Sequence, residues 1–362
     1  MHVVSVVGAR PNFVKIAPIS WEMARLRNIR HTVIHTGQHF DREMSESFFK
    51  VLEIPKVDIN LNVGTGTHGV QTGTIMVRLE PVLEELRPDW VLTVGDVNST
   101  AAAALVAVKL GLRTVHVEAG LRSFDRTMPE EINRLITDAI SDLLMVTEQS
   151  GLENLAREGV SSDKVRFVGN VMIDSLVRTL PKAREAKAWE RFGFTPGEYL
   201  LVTLHRPSNV DREEILTELM EALKGMAAQC PLLFPVHPRT KGNLEKFGLF
   251  DSLDSSLGVR LTEPLDYFTF ISLVTAARAL LTDSGGIQEE TTYLGIPCLT
   301  LRPNTERPVT IELGTNELIP PTKKSLLEAF QRLESGRWKK GKIPPLWDGK
   351  TAGRIVNALL QI

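Results

Sequence analysis

Cysteine is scarce: Cys230 and Cys298 are the only two among 362 residues, and neither has a ligand pattern beside it. That rarity excludes a disulfide framework or a thiolate zinc site and fits a reducing, cytoplasmic setting. An excess of charge is also lacking. Lys+Arg 42 against Asp+Glu 44 leaves a net charge of -2, so nothing electrostatic points to nucleic acid or a membrane surface as a partner. The short basic run Arg337, Lys339, Lys340, Lys342 reads as solvated surface. Long apolar runs are missing too: Ala101–Val108 is the longest small-residue stretch, far short of the roughly 20 residues of a membrane span. The chain enters a strand-like run (Val3, Val4, Val6, Val7) at once, so neither a signal peptide nor an anchor is expected. Eight histidines, with His35, His116 and His237 in or beside apolar strands, do not assemble a metal cluster by spacing. No metal and no cofactor is expected.

What is present is the 43% hydrophobic and 24% charged balance of a compact protein, with a length that suits two domains. Short Val/Ile/Leu runs alternate with amphipathic stretches of helical length, which predicts an α/β chain with parallel sheets. Strands are expected over 2–7, 31–36, 90–95, 114–118, 143–147 and 165–168, and helices over 14–27, 41–51, 69–86, 99–110 and 130–141. The charged, Pro/Gly-punctuated segment between Leu180 and Tyr199 reads as a domain boundary. A second series follows, with strands over 199–204, 232–236, 259–261, 278–282 and 297–301. The expected fold class is two Rossmann-like, doubly wound domains facing a central cleft, one over 1–172, the other over 173–350. Parallel sheets bind ligands beyond the carboxyl ends of their strands, so functional residues belong just after strands.

Several motifs sit there. Gly8-Ala9-Arg10-Pro11-Asn12 follows the first strand, with Lys15 soon after, and offers a tight turn with positive charge for a phosphate or carboxylate. Three acids recur at strand or helix ends: Asp96, Glu118 and Glu130. Glu130 and Arg134 lie four apart on one helix face, which alone reads as a surface ion pair. Asn98 or Ser99 is positioned to cap the helix after Asp96. Asp283-Ser284-Gly285-Gly286 opens a helix whose amides and dipole suit a diphosphate, with Ser284 as the cap. Glu289 and Glu290 follow in its first turns, and Arg302 and Arg307 lie beyond the next strand. His205-Arg206 and His237-Pro238 occupy two further strand ends; such histidines are more often structural. Gly64-Thr65-Gly66-Thr67-His68-Gly69 matches a dinucleotide fingerprint, but it is not the first strand-to-helix turn and the acidic residue is misplaced, so it is read as a decoy.

The segments GARPNFVKIAPI (8–19), TGQHFDREM (36–44), GDVNSTAAAA (95–104), HVEAGLRSFD (116–125), MPEEINR (128–134), LHRPSN (204–209), DSGGIQEE (283–290) and NTERPVT (304–310) together resemble the non-hydrolysing UDP-N-acetylglucosamine 2-epimerase family over nearly the whole chain. The resemblance implies a fold of the glycosyltransferase B type, with a C-terminal helix over 351–362 returning to the first domain. It implies that Arg10, Lys15, Asp96, Glu118, Glu130, Arg134 and His205 line the reaction site and that Ser284, Gly285, Gly286, Glu290 and Arg307 hold UDP. A UDP-N-acetylhexosamine substrate, a homodimer and a place in cell-surface polysaccharide biosynthesis are likewise implied. Pro207-Ser208-Asn209 departs from the Arg and Glu-Asn of many bacterial members after the His-Arg pair. Ser47 stands where activated enzymes carry a Gln, which argues against allosteric activation. Rival readings are a hydrolysing 2-epimerase, an epimerase of a diacetamido uronic acid, a glycosyltransferase and a sugar-nucleotide sensor.

Overall fold

The computed structural model describes residues 1–38 and 56–362. The expected helix over 41–51, most of the 36–44 motif and Ser47 lie outside the described residues. The chain divides into two units, Met1–Arg178 with Pro345–Ile362 and Thr179–Pro344.

The first unit carries seven parallel strands: β1 (His2–Val7), β2 (Arg30–His35), β3 (Ile59–Asn60), β4 (Trp90–Val94), β5 (Arg113–Ala119), β6 (Leu143–Val146) and β7 (Val165–Phe167). Their order is β3-β2-β1-β4-β5-β6-β7. The chain therefore reverses its direction of travel between β1 and β4, and the crevice beyond that point is where such sheets hold ligands. Central strands covered on both faces must be apolar throughout, and Val3, Val4, Val6 and Val7 are all buried. Helix Asn98–Lys109 owes its place to Ala101–Ala104, all buried, since small residues let it press against helices His68–Leu86 and Pro129–Ile140. The Gly64–Gly69 run leads from two-residue β3, at the sheet edge, into helix His68–Leu86.

The second unit repeats the plan with β8 (Leu200–Thr203), β9 (Leu232–Pro235), β10 (Val259–Thr262), β11 (Ala279–Thr282), β12 (Cys298–Thr300) and β13 (Asn316–Leu318). The order β10-β9-β8-β11-β12-β13 puts its own switch point between β8 and β11, where the Thr203 and Thr282 hydroxyls bond at 2.7 Å.

Three expectations need correction. The first helix runs over Arg10–Ala24, four residues earlier than expected, because Pro11 is tolerated in a first turn that needs no N–H; Lys15 is thus in the second turn. The segment expected as a charged linker is largely helical. Helix Val171–Ala186 continues through Pro181, and its Leu176, Leu180 and Ala183 are buried, so packing outweighs the proline. β3 and β13 were too short to read as strands. The C-terminal helix spans Thr351–Leu360, buries Ile355, Val356 and Leu359, and packs on helix Arg10–Ala24. Asp174 accepts from the backbone N–H groups of Thr351 and Ala352 at 3.1 and 2.7 Å, satisfying two of the helix's otherwise open donors.

Candidate active site

In the first unit the loop after β1 is shaped by a single side chain. Asn12 accepts from the N–H groups of Gly8 and Ala9 at 3.2 and 3.0 Å and donates to the Val94 carbonyl at 3.0 Å, tying the ends of β1 and β4 together. Arg10 is the first residue of the following helix. Lys15 reaches from that helix to Glu118, with Nζ 2.5 Å from Oε2, both side chains buried. Glu118 occupies a bulge in β5, where the pairing with β6 shifts register, and its backbone is left-handed, φ 72°. Such a conformation is costly for a residue with a Cβ and is held only where neighbours over-determine it. Here it turns the carboxylate to Lys15. A Cβ on Gly95 (φ 71°) would stand 3.1 Å from Lys15 Nζ and 3.7 Å from Glu118 Oε2, so glycine is what lets the pair lie against the end of β4.

Asp96 follows Gly95 and pairs with Arg134. The simple Glu130–Arg134 pair is not formed. Arg134 binds Glu131 instead, Nη2 to Oε2 at 2.6 Å, and Glu131 also accepts from the N–H groups of Ser123 and Phe124 at 2.9 and 3.0 Å. Burial pushes the Glu131 pKa up, but the Ser123 bond and the Arg134 charge outweigh it and hold it below the usual range. Glu130 is the half-buried neighbour that takes part in none of these bonds. Val97, not Asn98 or Ser99, is the cap residue of helix Asn98–Lys109, because Asn98 is engaged with Gln71 at 2.8 Å and Ser99 with Gln38 at 2.7 Å. Behind this rim, His116 Nδ1 lies 2.6 Å from Asp138 and Nε2 2.8 Å from the Gly95 carbonyl. Both acceptors lack a hydrogen to give, so the arrangement needs a hydrogen on each ring nitrogen. Asp138 also takes the Gly120 N–H at 2.9 Å and pairs with Arg122 at 2.7 Å. Asp96, Glu118, Lys15 and Arg134 are thereby gathered at the strand ends with Glu130 beside them.

In the second unit His205 ends the β8 segment and its Nδ1 is 2.8 Å from Asp283 Oδ1. Ser284, Gly285 and Gly286 follow, with helix Gly285–Leu294 starting directly after Ser284. Ser284 stands at its cap position, but its side chain makes no capping bond. A Cβ on Gly285 would lie 2.9 Å from Glu306 Oε1. Arg307 pairs with Glu289 at 2.5 Å and Glu306 at 3.0 Å, and Arg302 with Glu306 at 2.7 Å. Burial pushes Glu306 up, yet Arg307 and Arg302 hold it far below the usual carboxylate range. Glu290 is buried near Tyr267; burial, reinforced by Glu289, pushes its pKa up to about 8 against the opposing effect of Tyr267. Glycine-led amides, paired arginines and a proton-bearing carboxyl together suit a nucleotide diphosphate and its ribose. Sequence reasoning singled out neither Glu131, Asp138 nor Asp283 for a role; each is adjacent to, or on a helix with, a residue it did select.

Among the described residues no group of three or more His, Cys, Asp or Glu is placed to hold a metal ion, and no helix is long and apolar enough to cross a membrane. The comparisons with known proteins agree with one another. The model of a family described as UDP-N-acetylglucosamine 2-epimerase matches residues 22–360. A UDP-N-acetylglucosamine 2-epimerase of Methanocaldococcus jannaschii is 41% identical, over 98% of this chain and 97% of the relative. A UDP-2,3-diacetamido-2,3-dideoxy-D-glucuronate 2-epimerase of Pseudomonas aeruginosa is 38% identical over the full length of both. The crystal structure of a Methanocaldococcus jannaschii UDP-GlcNAc 2-epimerase in complex with UDP-GlcNAc and UDP superposes with a TM-score of 0.90 at 41% identity, covering both chains completely. With two doubly wound sheets, an acidic rim on the first and a glycine-led helix start on the second, this chain belongs to the UDP-N-acetylglucosamine 2-epimerase family.

Proposed function

We propose that the protein interconverts UDP-N-acetylglucosamine and UDP-N-acetylmannosamine by eliminating and re-adding UDP. The observation that carries this reading is the carboxylate rim of the first unit, above all Glu118 forced into a left-handed bulge and gripped by Lys15. The C2 proton of an N-acetylhexosamine has no adjacent carbonyl to acidify it. In the proposed reaction one carboxylate takes that proton while the C1–O bond to UDP breaks, leaving a C1=C2 double bond in 2-acetamidoglucal. An acid then returns a proton to the opposite face of C2 as a UDP oxygen re-forms the bond to C1. Asp96, Glu118 and Glu130 are the groups available for these transfers, and Lys15 orients Glu118. Arg134, already engaged by Glu131, orients Asp96. Arg10 and His205 stabilise the departing diphosphate, and Ser284, Gly285, Gly286, Glu290 and Arg307 hold UDP. No cofactor enters this scheme.

A homodimer in the cytoplasm completes the reading; both cysteines are free and buried, and light scattering of the purified protein tests the assembly. The test of function is proton NMR of UDP-N-acetylglucosamine with the protein in deuterated water. The expected result is a UDP-linked manno product carrying deuterium at C2. Free N-acetylmannosamine with UDP would instead identify a hydrolysing epimerase. The 38% identity to the diacetamido-glucuronate epimerase over the full chain favours one second reading, a modified uronic sugar; turnover of that nucleotide sugar alone would select it.

A further inference from the structure

His205 and His237 are neighbouring rings at the ends of β8 and β9, with centroids 5.6 Å apart. They are held very differently. Asp283, fully buried at the end of β11, accepts from the backbone N–H groups of His205 and Arg206 at 3.0 and 2.9 Å and from Asn209 Nδ2 at 3.1 Å, besides its 2.8 Å contact with His205 Nδ1. Burial pushes Asp283 up, but the His205 ring and these N–H bonds outweigh it and hold it below the usual range. An ionised carboxylate only accepts, so His205 Nδ1 must donate. Its Nε2 is then the nitrogen on the outer side of a half-exposed ring. His237 is fixed the opposite way: its Nδ1 accepts from the Arg239 N–H at 3.2 Å and so carries no hydrogen. Burial, the His205 ring and Arg239 all lower the His237 pKa, with Asp283 opposing. The charged and titratable groups at the pair are thus Asp283, Arg206 and Arg239.

We infer that Asp283 is the positioning residue of His205. It fixes the ring with Nδ1–H inward and Nε2 outward, the reverse of His237, whose Nδ1 accepts. His205 then turns Nε2 outward, and a hydrogen carried there meets the diphosphate as negative charge develops on it. This rests on the epimerase reading for its purpose, but the geometry of the dyad does not. Asp283 is fully buried and acts through His205.

The test is two-bond proton–nitrogen NMR of the full-length protein with labelled histidine, recorded without substrate across the titration range, with His205 and His237 assigned from His205→Gln and His237→Gln. The expected spectrum shows His205 as the Nδ1–H tautomer when neutral and His237 as the Nε2–H tautomer. In Asp283→Asn the neutral His205 ring shifts towards the Nε2–H tautomer. Activity of Asp283→Asn falls by roughly 10²-fold or more in kcat with little change in KM, as when an orienting aspartate is lost elsewhere. A His205 ring found as Nε2–H in the unaltered protein overturns the inference whether or not Asp283→Asn folds. So does an Asp283→Asn enzyme that folds and keeps the His205 tautomer unchanged. Absence of turnover by the unaltered protein would instead refute the epimerase reading and leave the tautomer result standing.

Discussion

Replacing Lys15 by Met removes the cation that neutralises Glu118, whose side chain is only 2% exposed. Breaking a buried ion pair from one side costs about 3–5 kcal/mol, because the remaining buried charge loses its counter-ion. At roughly 2–4 °C per kcal/mol for a unit of 150–250 residues, the expected fall in Tm is about 6–20 °C. Removing both charges, as in Lys15→Met with Glu118→Leu, restores most of the stability, since an apolar pair of similar volume is near neutral. Calorimetric melts measure this, with hydrogen exchange of β1 and β5 amides reporting the first unit separately. A Lys15→Met loss below about 1 kcal/mol, the size expected of an exposed pair, would refute the reasoning.

Glu118→Gln, Asp96→Asn and Glu130→Gln each lower turnover by roughly 10²–10⁴-fold if they transfer protons; exchange of the C2 proton with deuterated solvent distinguishes them, and full activity in all three would end the elimination mechanism. Gly95→Ala places an alanine at φ 71° and presses on Lys15, costing about 1–2 kcal/mol in denaturant melts and roughly tenfold or more in turnover through displacement of the pair. Burial pushes Asp174 up to about 6, against the Ala352 and Thr351 N–H bonds. A raised folded-state pKa gives stability that is present below the unfolded value and is lost as pH rises through the folded one. The unaltered protein should thus lose up to about 3 kcal/mol between pH 4 and 6 that Asp174→Asn does not lose; parallel stability curves for the two would contradict it.

The strands were legible because a parallel sheet covered on both faces demands unbroken Val/Ile/Leu runs, as in β1 and β4, and the helix-leading motifs were legible because they follow those runs. β13 was not: Asn316–Leu318 is three residues at an edge, with no pattern to detect. Helix Val171–Ala186 was hidden by Pro181 and a charged outer face, since the buried Leu176, Leu180 and Ala183 make sense only once their packing partners exist. Which residues would stand at the strand ends was legible, but not which of them would pair. Arg134 has Glu130 at the favoured spacing, yet binds Glu131 and the distant Asp96, because the bend at Ser123 and Phe124 fixes Glu131 first. Asp283 looked like the opening of a phosphate turn; its bonds to His205 and Arg206 join strands that are adjacent only in the folded sheet.

The return of the chain at Pro345 bears on biosynthesis. A ribosome delivers residues in order, and domains tend to fold as they emerge. Every strand of the first unit is available once β7 has been made, yet helix Thr351–Leu360, which covers the back of the Lys15-bearing helix, arrives only after the entire second unit. The nascent first unit must wait through that interval with the apolar flank of helix Arg10–Ala24 open to solvent. Asp174 and the Trp347 indole, which donates to the Thr147 carbonyl at 3.1 Å, are then the closing contacts of assembly, completing the first unit only when the second already exists.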